Sequence, residues 1–245
     1  MSTVVTSSER GVDRVESVSR DEAIYRHIYT AIVEHHIAPG TKLPEDALAE
    51  VFGVSRTVVR KVLGRLAHEG LLRIARNRGA RVAAPTVGEA RGVFEARRLV
   101  ECAAMHPVAV ARSAADLRAL RRIVAEEHEA ESVGDQRQLI RMSGEFHVRL
   151  MAISANEPLT EFLRQLVARS SLIIAMYGSP GGRRQGCRDH GALLDLIEQG
   201  DAERASEWMD EHLRAVESAL NFRDRADERP NLRQIFAAID APVSR

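Results

Sequence analysis

The segment from Leu43 to Val82 constrains the fold of this chain more than any other stretch of the sequence. Pro44 can begin a short helix, because its missing N–H would have no partner in the first helical turn anyway. Three apolar residues at helical spacing define the buried side of this helix: Leu48, Ala49 and Phe52. Gly53 then permits a sharp turn before a second helix. A helix, a turn, a second helix and a basic hairpin, in this order, predict a winged helix-turn-helix, which places its second helix in the major groove of DNA.

The second helix of this motif is expected to begin after Ser55, whose hydroxyl can accept a hydrogen bond from a backbone N–H of the first turn. Its buried stripe consists of four aliphatic residues: Val59, Val62, Leu63 and Leu66. Arg56 and Arg60 lie one turn apart on another face, with Thr57 and Lys61 beside them. Two arginines at this spacing suit contacts to phosphate and to guanine, so this face is the predicted DNA-reading surface.

The hairpin that follows is predicted from two short apolar runs, over residues 71–75 and 80–84, around the turn signal Asn77-Arg78-Gly79. Its tip is basic, as expected for a wing that contacts DNA. A first helix over about residues 21–35 precedes the motif, and Pro39-Gly40 ends it in a turn.

The rest of the chain carries helical periodicity with almost no strand signal. Helices are expected over residues 88–112, 115–132, 135–154, 157–177, 186–199 and 202–222. Pro107 lies inside the first of them and is expected to kink or break it. We therefore predict a mainly α protein, in which an N-terminal winged helix-turn-helix is followed by an all-α bundle of about six helices.

The predicted domain boundary is Ala84-Pro85-Thr86. The expected parts are a flexible arm over residues 1–19, a DNA-binding domain over 20–85, a helical domain over 86–222 and a tail over 223–245 without an assigned function.

The charge distribution agrees with this division. The formal net charge is zero, yet the stretch from Arg56 to Arg81 contains eight Lys/Arg residues and one acidic residue, Glu69. A local basic patch in a neutral chain is typical of a DNA-binding module joined to a regulatory one, although a solvated charged face is the alternative. Cys102 and Cys187 form no metal or redox motif, and no signal peptide or membrane-spanning run is seen, so a cytoplasmic protein is expected.

The segment over residues 43–82 resembles the winged helix-turn-helix of GntR-family bacterial regulators. The matching residues are Pro39-Gly40, Leu43, Glu45, Leu48-Ala49, Gly53-Val54-Ser55-Arg56, Val59-Arg60, Leu63, Leu66, Glu69-Gly70-Leu71 and Arg78-Gly79. The second half is similar to the helical effector domain of the FadR subfamily, of the FCD type. The matching residues there are Arg97 with Glu101, Phe146-His147 followed by Leu150, Asn156, Asp189-His190 with Ile197, Gly200-Asp201 and His212.

The resemblance implies that the second helix of the motif and the wing contact DNA. The implied residues are Ser55, Arg56, Thr57, Arg60, Arg78 and Gly79. Lys61 replaces an acidic residue that is common in the family after the second arginine, which adds positive charge near the DNA backbone. We therefore include Lys61 among the predicted DNA-binding residues.

Three histidines lie on different predicted helices, namely His147, His190 and His212. Each alone is more commonly a structural or exposed residue, but three imidazoles that converge inside a bundle suit zinc or another borderline divalent metal. The resemblance implies that they are metal ligands, and that the fourth ligand would be an aspartate one turn before the first histidine. Ser143 occupies that position, and a hydroxyl is a much poorer ligand than a carboxylate. We expect zinc, with nickel or manganese as alternatives and with water, Glu145 or the effector completing the shell; a metal-independent pocket is the other possibility.

The resemblance also implies a small organic acid as effector. Its carboxylate would complete the coordination of the metal beside Ser143, with Arg97 as a second anchor through directional hydrogen bonds. The alternative role for Arg97 is a structural ion pair with Glu101, one helical turn away. Ser170 and Ser171 are further candidates for the lining of the pocket.

These observations predict a transcriptional regulator and not an enzyme. We expect a bacterial repressor, nucleoid-associated when bound to DNA, that acts as a homodimer on a pseudo-palindromic operator and dimerises through the effector-binding helical domain. Two alternatives belong to other classes. One is a metalloenzyme fused to a DNA-binding module, since three histidines with an open position also occur in zinc hydrolases. The other is an architectural DNA-binding protein whose helical domain is only structural.

Overall fold

The structure is a computed structural model that describes residues 19–75, 79–178 and 189–222, with only the backbone described at Ala75. Several sequence-based predictions lie outside these residues. They are residues 1–18 of the predicted arm over 1–19, the tail over 223–245, Asn77 and Arg78 of the predicted wing turn, Cys187 and the first part of the helix expected over 186–199.

Within the described ranges the chain forms nine α-helices and one three-stranded sheet. The N-terminal part contains α1 (Arg20–Val33), β1 (Lys42–Leu43), α2 (Glu45–Phe52), α3 (Arg56–His68), β2 (Leu72–Ala75) and β3 (Gly79–Val82). The bundle contains α4 (Val87–Ala111), α5 (Ala114–Val133), α6 (Gln136–Ala152), α7 (Glu157–Tyr177), α8 (His190–Gln199) and α9 (Ala202–Ser218). The predicted fold class, a winged helix-turn-helix followed by a six-helix bundle, is confirmed. No helix in these ranges combines the length and the apolar character needed to cross a bilayer.

The turn between α2 and α3 depends on Gly53, which adopts a left-handed conformation with φ of 59°. Two residues later, Ser55 Oγ accepts a hydrogen bond from the N–H of Val58 and caps α3. The wing is wider than the predicted hairpin, because β3 is the central strand and pairs antiparallel with both β1 and β2. The sequence did not predict β1, which is only two residues long.

The bundle helices begin at capping residues that the sequence supplies. Thr86 and Ser113 form reciprocal capping boxes with Glu89 and Asp116, and these start α4 and α5. The expected break at Pro107 was wrong, since α4 continues through this residue to Ala111. The neighbouring residues Met105, Val108 and Ala109 are buried in the bundle core. This packing outweighs the loss of one backbone hydrogen bond, which costs about 3 kcal/mol in a helix interior.

Helix α7 belongs to both halves of the molecule. Ala168 and Leu172 on α7 pack into the hydrophobic cluster of the winged helix-turn-helix, whereas most other buried residues of α7 pack into the bundle. Polar contacts reinforce this junction, because Ser171 Oγ donates to the carbonyl of Val33 at 2.6 Å and His35 Nε2 lies 2.9 Å from the carbonyl of Ser171. Helix α7 therefore joins the winged helix-turn-helix to the bundle.

Candidate functional site

The predicted DNA-reading face of α3 is exposed to solvent. Its five predicted residues are all exposed: Ser55, Arg56, Thr57, Arg60 and Lys61. Gly79 is also exposed and begins β3 with φ of 72°. The structure thus brings the basic side chains of α3 together on one accessible surface beside the wing.

Acidic residues of α1 and α2 hold the basic side chains of this face. Glu45 accepts two hydrogen bonds from Arg60, at 2.8 and 3.2 Å, and this pairing lowers the pKa of Glu45. Lys61 Nζ lies 2.8 Å from Asp21 on α1. Such exposed pairs add little to stability, but they orient side chains that would exchange a carboxylate for a phosphate or a base on DNA. The sequence did not predict these pairings, although Glu45 belongs to the matching motif.

The three predicted metal-binding histidines converge in the bundle. His147 lies on α6, His190 is the first residue of α8, and His212 lies on α9; all three are buried. One ring nitrogen from each can be chosen so that all three lie within 4.8 Å of one another. Three buried imidazoles at this separation form a donor set that suits a borderline divalent cation.

Two of these histidines are held by buried carboxylates. Nδ1 of His147 lies 2.5 Å from Glu101 Oε2, and Nδ1 of His190 lies 2.8 Å from Glu127 Oε2. A carboxylate on one ring nitrogen fixes the ring and leaves the other nitrogen free to bind a metal. Nε2 of His190 is buried and makes no hydrogen bond to any described residue, so it is such a nitrogen. These contacts indicate that the residues present fit a bound metal ion.

The charges of this cluster favour metal binding at neutral pH. Burial raises the pKa of Glu101, but the charge of Arg97 and the hydrogen bonds from His147 and Arg97 outweigh burial and lower it to about 2. Burial also lowers the pKa of His147, in spite of the neighbouring carboxylate. Glu101 is therefore an anionic acceptor, and His147 is a neutral imidazole, the form that binds a metal.

Sequence reasoning missed Glu127. The buried face of α5 is otherwise formed by apolar residues, namely Leu117, Leu120, Val124 and Ala130. Glu127 falls on the same face and is buried, so an acidic residue at a core position of α5 was the available signal.

A cavity of about 440 Å³ is lined both by His147, one of the three histidines, and by the predicted effector residues. Its lining includes Arg97, Ser143, His147, Ser170 and Ser171, so the structure brings these predicted residues together. Glu145, proposed as a replacement ligand, also borders the cavity but forms an ion pair with Arg149 at 2.6 Å.

Arg97 is the buried cation of this cavity, with 4% of its surface exposed. Nε donates to Glu101 at 2.7 Å, so the predicted structural ion pair is present, and Nη1 donates to Ser170 Oγ at 3.1 Å. Nη2 is buried and makes no hydrogen bond to any described residue. A buried guanidinium nitrogen without an acceptor is costly, and an anionic ligand would remove that cost.

Comparisons with known proteins agree with this architecture. A family model described as "Bacterial regulatory proteins, gntR family" matches residues 20–82, and one described as "FCD domain" matches residues 92–215. The Nta operon transcriptional regulator of Aminobacter aminovorans is 28% identical over 137 residues, which are 56% of this chain and 65% of that protein. The transcriptional repressor RspR of Escherichia coli K12 is 37% identical over 97 residues, 40% of each chain. The chain thus spans less than two thirds of the length of these two relatives.

Other similarities extend over most of the chain. An uncharacterized regulator from an unstable DNA locus of Streptomyces ambofaciens is 28% identical over 233 residues, 91% of this chain and 92% of that protein. The structure of E. coli McbR/YncC superposes with a TM-score of 0.72 at 22% identity, covering 81% of this chain and 95% of that one. A regulator of Rhodococcus sp. RHA1 gives a TM-score of 0.68 at 23% identity, covering 81% and 96%. Because the matched family and relatives are transcriptional regulators, the alternative of a metalloenzyme was wrong.

Proposed function

The chain belongs to the GntR family of bacterial transcriptional regulators and carries an FCD domain, and from this premise we propose that it is a repressor controlled by a small organic acid. The observation that carries the proposal is Arg97, which lines one cavity with Ser143 and His147 and whose buried Nη2 makes no hydrogen bond to any described residue. RspR, one of the relatives, is itself a repressor.

In this proposal residues 20–85 form the DNA-binding unit. Helix α3 would enter the major groove, where Arg56 and Arg60 contact bases and phosphates and Lys61 contacts the backbone. The wing would add contacts from Arg78 and Gly79. A homodimer formed through residues 86–222 would place two such units on a pseudo-palindromic operator in the bacterial cytoplasm.

A divalent cation would be held by His147, His190 and His212, with zinc as the first choice and nickel or manganese as alternatives. FCD domains are commonly metal-associated, which supports this assignment. When bound, the cation supplies a positive charge and an open coordination position. Three neutral imidazoles and the hydroxyl of Ser143 would leave its double charge uncompensated in the inner shell, which favours an anionic ligand at the open position.

The effector class follows from the groups that face the cavity. A carboxylate has two acceptor oxygens, and Arg97 Nη2 offers a fixed donor beside the histidine cluster. Arg97 also donates to Ser170, and the next residue, Ser171, contacts Val33 and His35 in the winged helix-turn-helix. An acid that binds one arrangement of this junction more tightly than another would shift the position of the winged helix-turn-helix relative to the bundle.

The test is a thermal-shift screen of small carboxylic acids, paired with elemental analysis of the purified protein before and after treatment with EDTA. Near one metal ion per chain, with stabilisation by acids that disappears on chelation, supports a metal-anchored sensor. Stabilisation that persists unchanged in metal-free protein supports the second candidate, a metal-independent sensor in which Arg97 alone anchors the acid; Ser143 at the aspartate position favours that candidate. If no acid in the panel stabilises either form, the carboxylate assignment fails.

A further inference from the structure

The cavity that contains Arg97 is not confined to the bundle. Part of its lining comes from the winged helix-turn-helix, namely Glu22, Tyr25, Arg26, Tyr29 and Val33 of α1 and Arg65 of α3. A ligand that fills this cavity would therefore touch both the bundle and the unit that carries the DNA-reading helix.

The two ends of the cavity differ in chemistry. The end at the histidine cluster presents Arg97, Ser143 and Ser170, which are donors for an anion. Most of the other buried or half-buried side chains of the lining without charge are aliphatic or aromatic: Tyr25, Tyr29, Val33, Ile140, Val148, Val167 and Ile174. The remaining charged residues of the lining are exposed or only half-buried: Glu22, Arg26, Arg65, Arg141, Glu145, Glu161 and Arg164. A molecule with an acidic end and an apolar body matches the buried part of this lining.

Tyr29 is the residue of α1 that best fits contact with such a body. Its ring lies 5.8 Å from the ring of Tyr25, so two aromatic side chains line the wall together. The Tyr29 hydroxyl makes no hydrogen bond to any described residue. Burial raises the pKa of Tyr29 to about 12, so the side chain remains a neutral phenol.

The volume also argues for a larger ligand. About 440 Å³ falls in the range of roughly 300–1,000 Å³ that is usual for small-molecule sites. An acid of two or three carbons on Arg97 would leave the aromatic wall uncovered. We propose that the effector is a carboxylate with an extended apolar or aryl body that runs from Arg97 to Tyr29, so that α1 forms one wall of the effector site.

This inference rests on the proposed function and adds its regulatory consequence. Helix α1 packs against the DNA-reading helix α3. The affinity of a ligand held between Arg97 and Tyr29 therefore depends directly on the position of the winged helix-turn-helix relative to the bundle. The differential contact that a switch requires would then be made by the ligand itself, in addition to the serine pair on α7.

The test measures binding of a phenylalkanoate series, from benzoate to 4-phenylbutyrate, to the full-length metal-loaded chain by calorimetry. Affinity is expected to rise about fourfold for each methylene that becomes buried, the transfer value of a CH₂ group. Tyr29→Ala should lower the affinity for 4-phenylbutyrate about tenfold, as expected for a lost aromatic contact, and should change benzoate binding little. Hydrogen exchange in residues 20–33 should slow when 4-phenylbutyrate binds to the wild type.

Two further variants keep the result interpretable. Thr30→Ala changes the next residue of α1, which does not line the cavity, and should bind every acid as the wild type does. Tyr29→Phe keeps the ring and guards against a folding defect in Tyr29→Ala; it should retain most of the length dependence.

The outcomes separate this inference from the proposed function. The affinity could depend on Arg97, yet be equal for all phenylalkanoates and unchanged in Tyr29→Ala. This result would overturn the inference that α1 forms one wall of the effector site, but it would not contradict a carboxylate effector. Failure of the wild type to bind any member of the series also overturns the inference, while the broader acid panel still decides the proposed function.

Discussion

Ser143 and Glu127 both affect the amount of negative charge near the three histidines. At residue 143 a hydroxyl replaces the carboxylate usual in the family, whereas Glu127 brings a buried carboxylate to Nδ1 of His190. A carboxylate that accepts a hydrogen bond from a ligand histidine makes the ring a better donor and holds its orientation. With a metal bound to the three histidines, Glu127 would supply through His190 part of the negative charge that Ser143 lacks.

Glu127→Gln tests this role. The amide keeps the shape of the side chain but weakens the hydrogen bond to His190, so zinc affinity should fall by about 10- to 100-fold. A competition titration with a chromogenic chelator measures the change. Glu126→Gln is the matched control, because Glu126 is the exposed neighbour on the same helix and should leave affinity unchanged. Equal affinities in the two variants would remove Glu127 from the metal site.

Ser143→Asp should have the opposite effect on the metal and a different effect on the effector. A carboxylate beside His147 would tighten zinc binding, and its charge would weaken the binding of an acid to Arg97 in the same cavity. The same chelator titration and calorimetry with an acid that binds the wild type measure both quantities. Tighter metal binding together with unchanged acid binding would place the acid elsewhere.

Arg60 and Lys61 are adjacent, yet they are expected to act differently on DNA. Arg60→Ala should weaken operator binding by roughly one to two orders of magnitude and relax the preference for one base, as loss of a base contact does. Lys61→Ala should weaken binding to all sequences alike and reduce the slope of affinity against salt by about one. Fluorescence anisotropy at several salt concentrations separates these cases. Identical behaviour of the two variants would contradict base reading by Arg60.

At the scale of elements, α4 shows how packing overrides a local signal. Pro107 is exposed on the solvent side of the helix, while Met105 and Val108 next to it are buried. The proline removes one backbone hydrogen bond without disturbing the buried face, which is why the helix tolerates it.

Pro107→Ala should therefore stabilise the protein, by up to about 3 kcal/mol in the free energy of unfolding, since it restores a helical hydrogen bond at an exposed position. Denaturant titration followed by circular dichroism measures the change. His106→Ala, at the preceding exposed position, serves as the control and should be close to neutral. A destabilised Pro107→Ala would show that the ring makes a contact that the helix requires.

The sequence predicted the elements whose signals are local. Capping residues, glycine turns and apolar stripes gave the winged helix-turn-helix and the bundle helices, and family resemblance identified the three histidines. It did not predict β1, because two residues carry no periodicity. It missed Glu127 and the α1 wall of the cavity for another reason: which face of α5 meets α8, and which face of α1 meets α7, are set by tertiary packing and not by the spacing within either helix.

At the scale of the whole molecule, α7 makes the two halves dependent on each other. Leu172 is fully buried and belongs to the cluster of the winged helix-turn-helix, although its helix is part of the bundle. Ser171 beside it contacts the backbone of Val33. The two halves should consequently unfold together and respond together when the cavity between them is filled.

Leu172→Ala tests this dependence. Truncation of a buried leucine costs about 2–5 kcal/mol through lost burial and the cavity left behind. Because the lost contacts join the two halves, we expect calorimetry to show two unfolding transitions in this variant in place of the one expected for the wild type. The winged helix-turn-helix should unfold in the first of them. Phe162→Ala on the same helix is the control, since Phe162 is 47% exposed and should leave one transition near the wild-type temperature. A destabilised Leu172→Ala that still unfolds in one step would show that the coupling runs through other contacts.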